Sequence, residues 1–177
     1  ERLVSERGYP AEIQNITARP DFALRGLVLD TDRGHVLKVD RHRHAGKVYH
    51  GFRNVTEEAR EHYRQTRIRF TQDRFVLIDT LFALPEAFLY AALVDYFEKT
   101  HPERDHDWRQ LYDDIRFSVD LAHRDESIKS AIVEDLDRYV NREESLASTL
   151  HKFRSAGKQL FLLTNSYARY TNRVMSY

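Results

Sequence analysis

Apolar and polar positions alternate with two different periods along this chain, and the changes of period mark its elements. Residues 26–40, GLVLDTDRGHVLKVD, read as two β-rich runs around Asp32-Arg33-Gly34. Asp and Gly between such runs predict a hairpin. The run RFVLIDTLF, residues 74–82, predicts a buried strand. Pro85 then sits where a first-turn proline belongs. Apolar residues at 88, 89, 92, 93, 96 and 97 form a wide helical stripe, which ends at His101-Pro102. From about Asp107 to His123, Trp108, Leu111, Tyr112, Ile115, Val119 and Ala122 make one apolar helix face. Arg116, Asp120 and His123 make a polar face beside it.

Further helices are predicted over roughly 126–140 and 143–156, the second closed by Gly157. Residues 1–8 read as the end of a helix closed by Gly8, and Thr56 caps a short helix over EEAREHY. The texture changes at KQLFLLTNS, residues 158–166, whose centre is apolar on both faces. That pattern predicts a central parallel strand covered by helices, with the helix-like YARYTNRVMSY after it. The mixture is α/β. The chain opens and stops in helical pattern, without Met at position 1, so a segment of a longer protein is expected.

Composition narrows the classes of function. Lys+Arg and Asp+Glu balance at 28 each among the 177 residues, so no net field favours nucleic acid or an anionic membrane. Cysteine is absent, which excludes a disulfide framework and a thiolate site. The apolar runs are too short to span a bilayer and nothing resembles a signal peptide, so the cytoplasm is the default location.

Three stretches are candidates for chemistry. Asp30-Thr31-Asp32 at the end of an apolar strand has the form in which phosphoaspartate enzymes present a nucleophile and a magnesium ligand. Such a strand should feed a crossover to a parallel strand, however, and this one turns straight back. Its aspartates therefore read as turn residues. His42 and His44 lie on one face if extended, but RHRHAGKVYHG, residues 41–51, has no Cys and no evident carboxylate partner; it reads as a solvated basic loop. Thr164-Asn165-Ser166 stands between a strand and a helix, where free N–H groups and hydroxyls receive an anion, though the same residue types also cap helices.

The segments ERLVSERGYP, RGLVLDTDRGHVLKVDR, TLFALPEAFLYAALVDYFE, DDIRFSVDLAH and LFLLTNSYARYTNRVMSY, in this order, resemble the cytosolic purine 5′-nucleotidases. These are the IMP/GMP-preferring enzymes of the haloacid dehalogenase superfamily. The resemblance implies a Rossmannoid core, of which this chain holds one strand, and a largely helical α+β cap with a β-hairpin. Residues 1–157 would be cap, and 158–177 the core strand, its phosphate loop and the start of the next helix. The catalytic Asp-x-Asp-x-Thr of the family lies before the segment like ERLVSERGYP, so Asp30 and Asp32 are not that pair. The ligands of Mg²⁺ and the nucleophile fall outside this chain, and the segment alone is expected to be inactive.

By the same resemblance, Arg116 and Asp120 read the purine and ribose, His123 and Phe82 sandwich the base, and Lys129 reaches the phosphate. Thr164, Asn165 and Ser166 hold the phosphate. Arg69 matches an effector-contacting arginine, whereas Asp79 stands where an Asn is usual. Arg124 replaces an aromatic after His123, and Tyr167 replaces an acidic residue after Thr-Asn-Ser. The implied protein is a Mg²⁺-dependent phosphomonoesterase acting on purine nucleoside monophosphates, able to form dimers or tetramers. A non-catalytic nucleotide-binding relative and a phosphatase of another phosphomonoester remain open.

Overall fold

The structure is a computed structural model that describes residues 1–17, 19, 22, 26–70 and 73–177. The chain divides into two compact units, Glu1–Leu121 and Ala122–Tyr177.

The first unit is built on a five-stranded sheet. Helix α1 (Arg2–Arg7) ends at Gly8, whose left-handed backbone (φ 69°) closes it, and a short 3₁₀ turn spans Ala11–Asn15. Strands β1 (Leu27–Asp30) and β2 (His35–Val39) form the predicted hairpin, with Asp30 opposite His35. β3 (Ala45–His50) and β4 (Arg53–Asn54) continue the meander. Helix α2 (Glu57–Gln65) follows, its Ala59 N–H donating to the Thr56 hydroxyl as the cap requires. β5 (Phe75–Ile78) then pairs antiparallel with the free side of β1, giving the order β4-β3-β2-β1-β5. Helices α3 (Leu84–Thr100) and α4 (Trp108–Arg124) complete the unit, the end of α4 leading into the second.

The sheet is covered on both faces, and this explains the uninterrupted apolar run of β1. Leu27 and Leu29 join Val36 and Ile78 in one cluster with Ala87, Tyr90, Ala91 and Val94 of α3 and Trp108, Leu111 and Ile115 of α4. Val28 points the other way, with Leu37, Val48 and Phe75 against Tyr63 of α2 and Ile68. The double-sided burial expected at 160–163 is thus found at 27–30, in an antiparallel sheet. The helix stripe also needs correction. Of the predicted stripe, Ala92 and Leu93 are buried and Leu89, Tyr96 and Phe97 pack half-buried against the core, but the deepest face also includes Ala87, Tyr90, Ala91 and Val94, which the stripe left out. α3 is apolar nearly all round, so periodicity could not select a face; the small side chains of Ala87 and Ala91 bring the helix close to the sheet.

The His-rich stretch differs from the loop expected over 41–51. Its first part is a turn in which the Asp40 carboxylate accepts the N–H groups of His42 (2.7 Å) and His44 (3.0 Å). The rest is β3, with Val48 buried opposite Leu37. His42 and His44 are exposed, and the His42 Nε2 accepts from Arg41, so the pair serves a turn.

In the second unit the helix predicted over 126–140 is two helices, α5 (Ser127–Glu134) and α6 (Leu136–Tyr139), broken at Asp135, whose φ of −139° is not helical. α7 (Glu144–Ser155) and α8 (Ala168–Met175) follow. The strand expected at 158–163 is not formed. Residues 158–164 carry no regular structure, and Phe161 and Leu163 are 85% and 89% exposed. A central strand needs neighbours for its N–H and C=O groups, and no strand lies in this unit among the described residues. The architecture is therefore mixed α/β, with an antiparallel sheet and eight α-helices among the described residues. No described helix is long and apolar enough to cross a membrane.

One buried carboxylate ties the sheet together. Asp30 is fully buried and accepts from Arg74 Nε (2.9 Å) and Nη2 (2.6 Å), from the Tyr63 hydroxyl (2.6 Å) and from the Asp32 N–H (3.2 Å). Burial alone would raise its pKa, but the Arg74 and Tyr63 hydrogen bonds outweigh it and hold the group below the usual carboxylate range. The only proton of the Tyr63 hydroxyl goes to Asp30, so His35, 2.7 Å away, donates to it from Nδ1. Burial, with the charges of His50 and Arg33 against that of Asp30, lowers His35 to about 4. Gly34 closes the turn at φ 66°, where a Cβ would lie 2.9–3.0 Å from the His50 and Trp108 rings.

Two outcomes follow. Arg74→Ala leaves the Asp30 charge buried without its cation and should cost about 3–5 kcal/mol in urea unfolding; a cost below 1 kcal/mol would contradict the clamp. His35 stays neutral in the fold while the unfolded chain takes up a proton as pH falls through 6.5. Stability should therefore drop by about 2 kcal/mol from pH 7 to pH 5 on this account, and His35→Gln should flatten that slope.

Candidate functional site

The sequence-predicted site residues are distributed over both units. Arg116, Asp120 and Phe82 belong to the first, and His123, Lys129, Thr164, Asn165 and Ser166 to the second.

In the first unit, α4 presents Arg116 and Asp120 one turn apart, and Nη2 of Arg116 donates to Asp120 at 2.6 Å. Its Nη1 donates, also at 2.6 Å, to Glu86 on α3. Sequence reasoning missed Glu86, although a carboxylate in the apolar run ALPEAFLYAALV was the available signal. Glu86 is only 4% exposed, whereas the Arg116 and Asp120 side chains are each 45% exposed. The guanidinium is thus anchored from below and open above. The Glu86 hydrogen bond is the first cause of its raised pKa. The Asp120 bond is of the surface i,i+4 kind, worth a few tenths of a kcal/mol. The helix carrying the pair is fixed near its middle: Asp114 accepts from the Tyr9 hydroxyl (2.9 Å) and from Gln110 (3.0 Å), and pairs with Arg7 (3.2 Å).

Phe82 precedes α3 and is 93% exposed, so it is not a core residue. His123, at the end of α4, is exposed as well. Arg69 follows α2 and Asp79 follows β5; both are exposed, and no contact joins them.

In the second unit, the Thr164 hydroxyl accepts the Ser166 N–H at 3.0 Å, forming a tight turn two residues before α8. Thr164 and Asn165 are exposed and Ser166 is half-buried. Lys129 on α5 is half-buried. Its ammonium lies 5.1 Å from the Tyr167 ring centroid and 5.8 Å from that of Tyr170. Lys129, Tyr167 and Tyr170 line a pocket of about 1000 Å³ whose other lining includes Arg124, Glu126, Arg169 and Arg173.

The described residues contain no group of three or more His, Asp or Glu arranged to hold a metal ion. The Asp30 oxygens are already filled by Arg74, Tyr63 and the Asp32 N–H. With its oxygens so filled, Asp30 is not free to act as an open nucleophile.

The first unit thus carries an anchored Arg–Asp pair, and the second a hydroxyl turn and a cationic pocket. Comparison with known proteins identifies the family. The family model described as "5' nucleotidase family" matches residues 1–177. A 5'-nucleotidase domain-containing protein of Dictyostelium discoideum is 34% identical over 180 residues, which take in 99% of this chain and 30% of that relative. The chain belongs to the 5' nucleotidase family, and it spans less than a third of that relative's length.

Removing Arg116 tests the arrangement in the first unit. Arg116→Ala strands a buried carboxylate and should cost about 1–3 kcal/mol, towards the low end because water screens the open half of the guanidinium. Asp120→Ala should cost under about 0.5 kcal/mol. Equal losses in thermal unfolding would show that Glu86 is not the anchor.

Proposed function

We propose that this chain is the recognition segment of a 5′-nucleotidase that hydrolyses purine nucleoside 5′-monophosphates of the IMP/GMP type. Family membership supports a hydrolase of nucleoside monophosphates. The observation that carries the purine assignment is the guanidinium of Arg116, fixed by buried Glu86 and bonded to the exposed carboxylate of Asp120.

The chemistry of that pair fits a 6-oxopurine. Arginine only donates, and a 6-oxopurine offers acceptors at O6 and N7. A carboxylate only accepts, and hypoxanthine and guanine carry a proton on N1. Adenine carries an amino group where the arginine needs an acceptor, and no proton on N1. A site that leaves buried polar groups unpaired with the wrong base discriminates more strongly than stacking does. Phe82 and His123 would supply the flat faces, Lys129 a phosphate contact, and Thr164, Asn165 and Ser166 the phosphate loop.

In this reading residues 1–157 act as the cap and 158–177 enter a haloacid dehalogenase-like core, where Leu160–Leu163 would find parallel neighbours. A phosphoaspartate nucleophile and the carboxylates that hold Mg²⁺ would come from outside this chain. The cap then selects the base and excludes water, and the loop positions the phosphate. Arg69 and Asp79 would lie near a nucleotide effector; the negative charge of Asp79 disfavours a polyphosphate there.

The intact protein should release phosphate from IMP and GMP faster than from AMP or ribose 5-phosphate, and the 177-residue chain should release none. Asp120→Asn can donate to an unprotonated N1. It should raise KM for IMP about tenfold and narrow the preference over AMP. An intact protein that released no phosphate from any nucleoside monophosphate would end this reading.

A further inference from the structure

We propose that the pocket of the second unit binds linked phosphates, as in pyrophosphate or the phosphate chain of a nucleoside diphosphate. Arg124, Lys129, Arg169 and Arg173 line it against one acidic side chain, Glu126. None of the four cations has a carboxylate partner among the described residues. In a chain whose charges balance overall, this is a local excess of three positive charges in one concavity.

The contacts of Lys129 leave its charge unspent. The faces of Tyr167 and Tyr170 hold the ammonium in place through their quadrupoles, but they carry no formal negative charge. Arg169 and Arg173 are four residues apart on α8, hence on one face with about 5–6 Å between their Cβ atoms. Two guanidinium forks at that spacing suit two neighbouring phosphate groups, each taken bidentately. A single orthophosphate held by two of the four cations would leave the other two without an anion. The volume, about 1000 Å³, also exceeds the needs of one phosphate. Nucleic acid fits less well, because the cations line a pocket and not a stripe along the surface. Of the lining residues named, only Lys129 also serves the proposed substrate site. The inference holds or fails for the 177-residue chain whatever the intact protein hydrolyses.

The test is calorimetric titration of the 177-residue chain, without metal, at 50 mM and 200 mM salt. Pyrophosphate should bind at least about tenfold more tightly than orthophosphate, and more weakly at the higher salt. The double variant Arg169→Ala/Arg173→Ala should lose about tenfold or more in affinity. These side chains are exposed, so the fold should persist, as far-UV circular dichroism would check. Arg154→Ala on α7, outside the pocket, should bind as the parent does. A nucleoside diphosphate that binds more tightly than pyrophosphate would identify a nucleotide as the source, and equal binding would point to the free anion.

Absence of pyrophosphate binding at millimolar concentration overturns the proposal. So does equal affinity for orthophosphate or citrate, or an unchanged affinity in the double variant. Pyrophosphate binding in a protein whose intact form releases no phosphate from nucleoside monophosphates would keep this inference and remove the previous one.

Discussion

Much of the first unit depends on a single carboxylate that has no access to water. Asp30 sits at the end of β1, where the sheet is covered on both sides, and its charge is tolerated because Arg74, Tyr63 and a backbone N–H all turn toward it. Each partner comes from a different part of the chain: Arg74 from the start of β5, Tyr63 from α2, the N–H from the hairpin turn. The backbone oxygen of Arg74 adds to this by accepting from both the N–H (2.9 Å) and the hydroxyl (3.0 Å) of Thr31. One ionised group thus fixes the register of the hairpin, the edge strand and the helix over them. A neutral side chain there would leave a guanidinium and a phenol without their acceptor.

The same logic, a buried acid aiming a cation, recurs at Glu86 and Arg116. There the outcome is a presented group and not a closed clamp, because Arg116 lies at the surface and keeps donors free. Burial of one partner supplies orientation, and exposure of the other leaves its remaining donors facing solvent. The second unit has the opposite balance. The four cations of its pocket have no carboxylate partner among the described residues, and aromatic faces hold one of them. Orientation without neutralisation is what an anion site requires.

The segment 158–164 shows what happens when a strand's apolar pattern lacks neighbours. Leu160, Phe161, Leu162 and Leu163 are exposed, and the apolar residues Leu146, Leu150 and Phe153 of α7 stand partly open as well. The residues are those of a covered strand and its helix, but backbone groups without partners in a sheet do not form one. The chain spans less than a third of its relative's length, so the side chains that would cover this segment need not be within it.

The hairpin at 26–40, the cap at Thr56, the end of α1 at Gly8 and the apolar face of α4 were legible in the sequence. Turn residues, caps and strong periodicity are local, and a few neighbouring residues suffice to specify them. β3, hidden in the His-rich run, was not legible, because β2 supplies its hydrogen bonds and only Val48 is deeply buried. The face of α3 was ambiguous, since an apolar surface all round gives no direction. That Arg116 and Asp120 share one face of α4 was legible from their spacing, but the contact of Arg116 with Glu86 was not, because it requires α3 to lie against α4. Nor could the sequence show that Arg124, Lys129, Arg169 and Arg173 share one pocket, since they come from three different helices. By itself the sequence determined the elements that turns, caps and strong periodicity mark locally, and the types of chemistry available. The tertiary structure decided which charges meet, because burial and pairing are properties of distance in space and not along the chain.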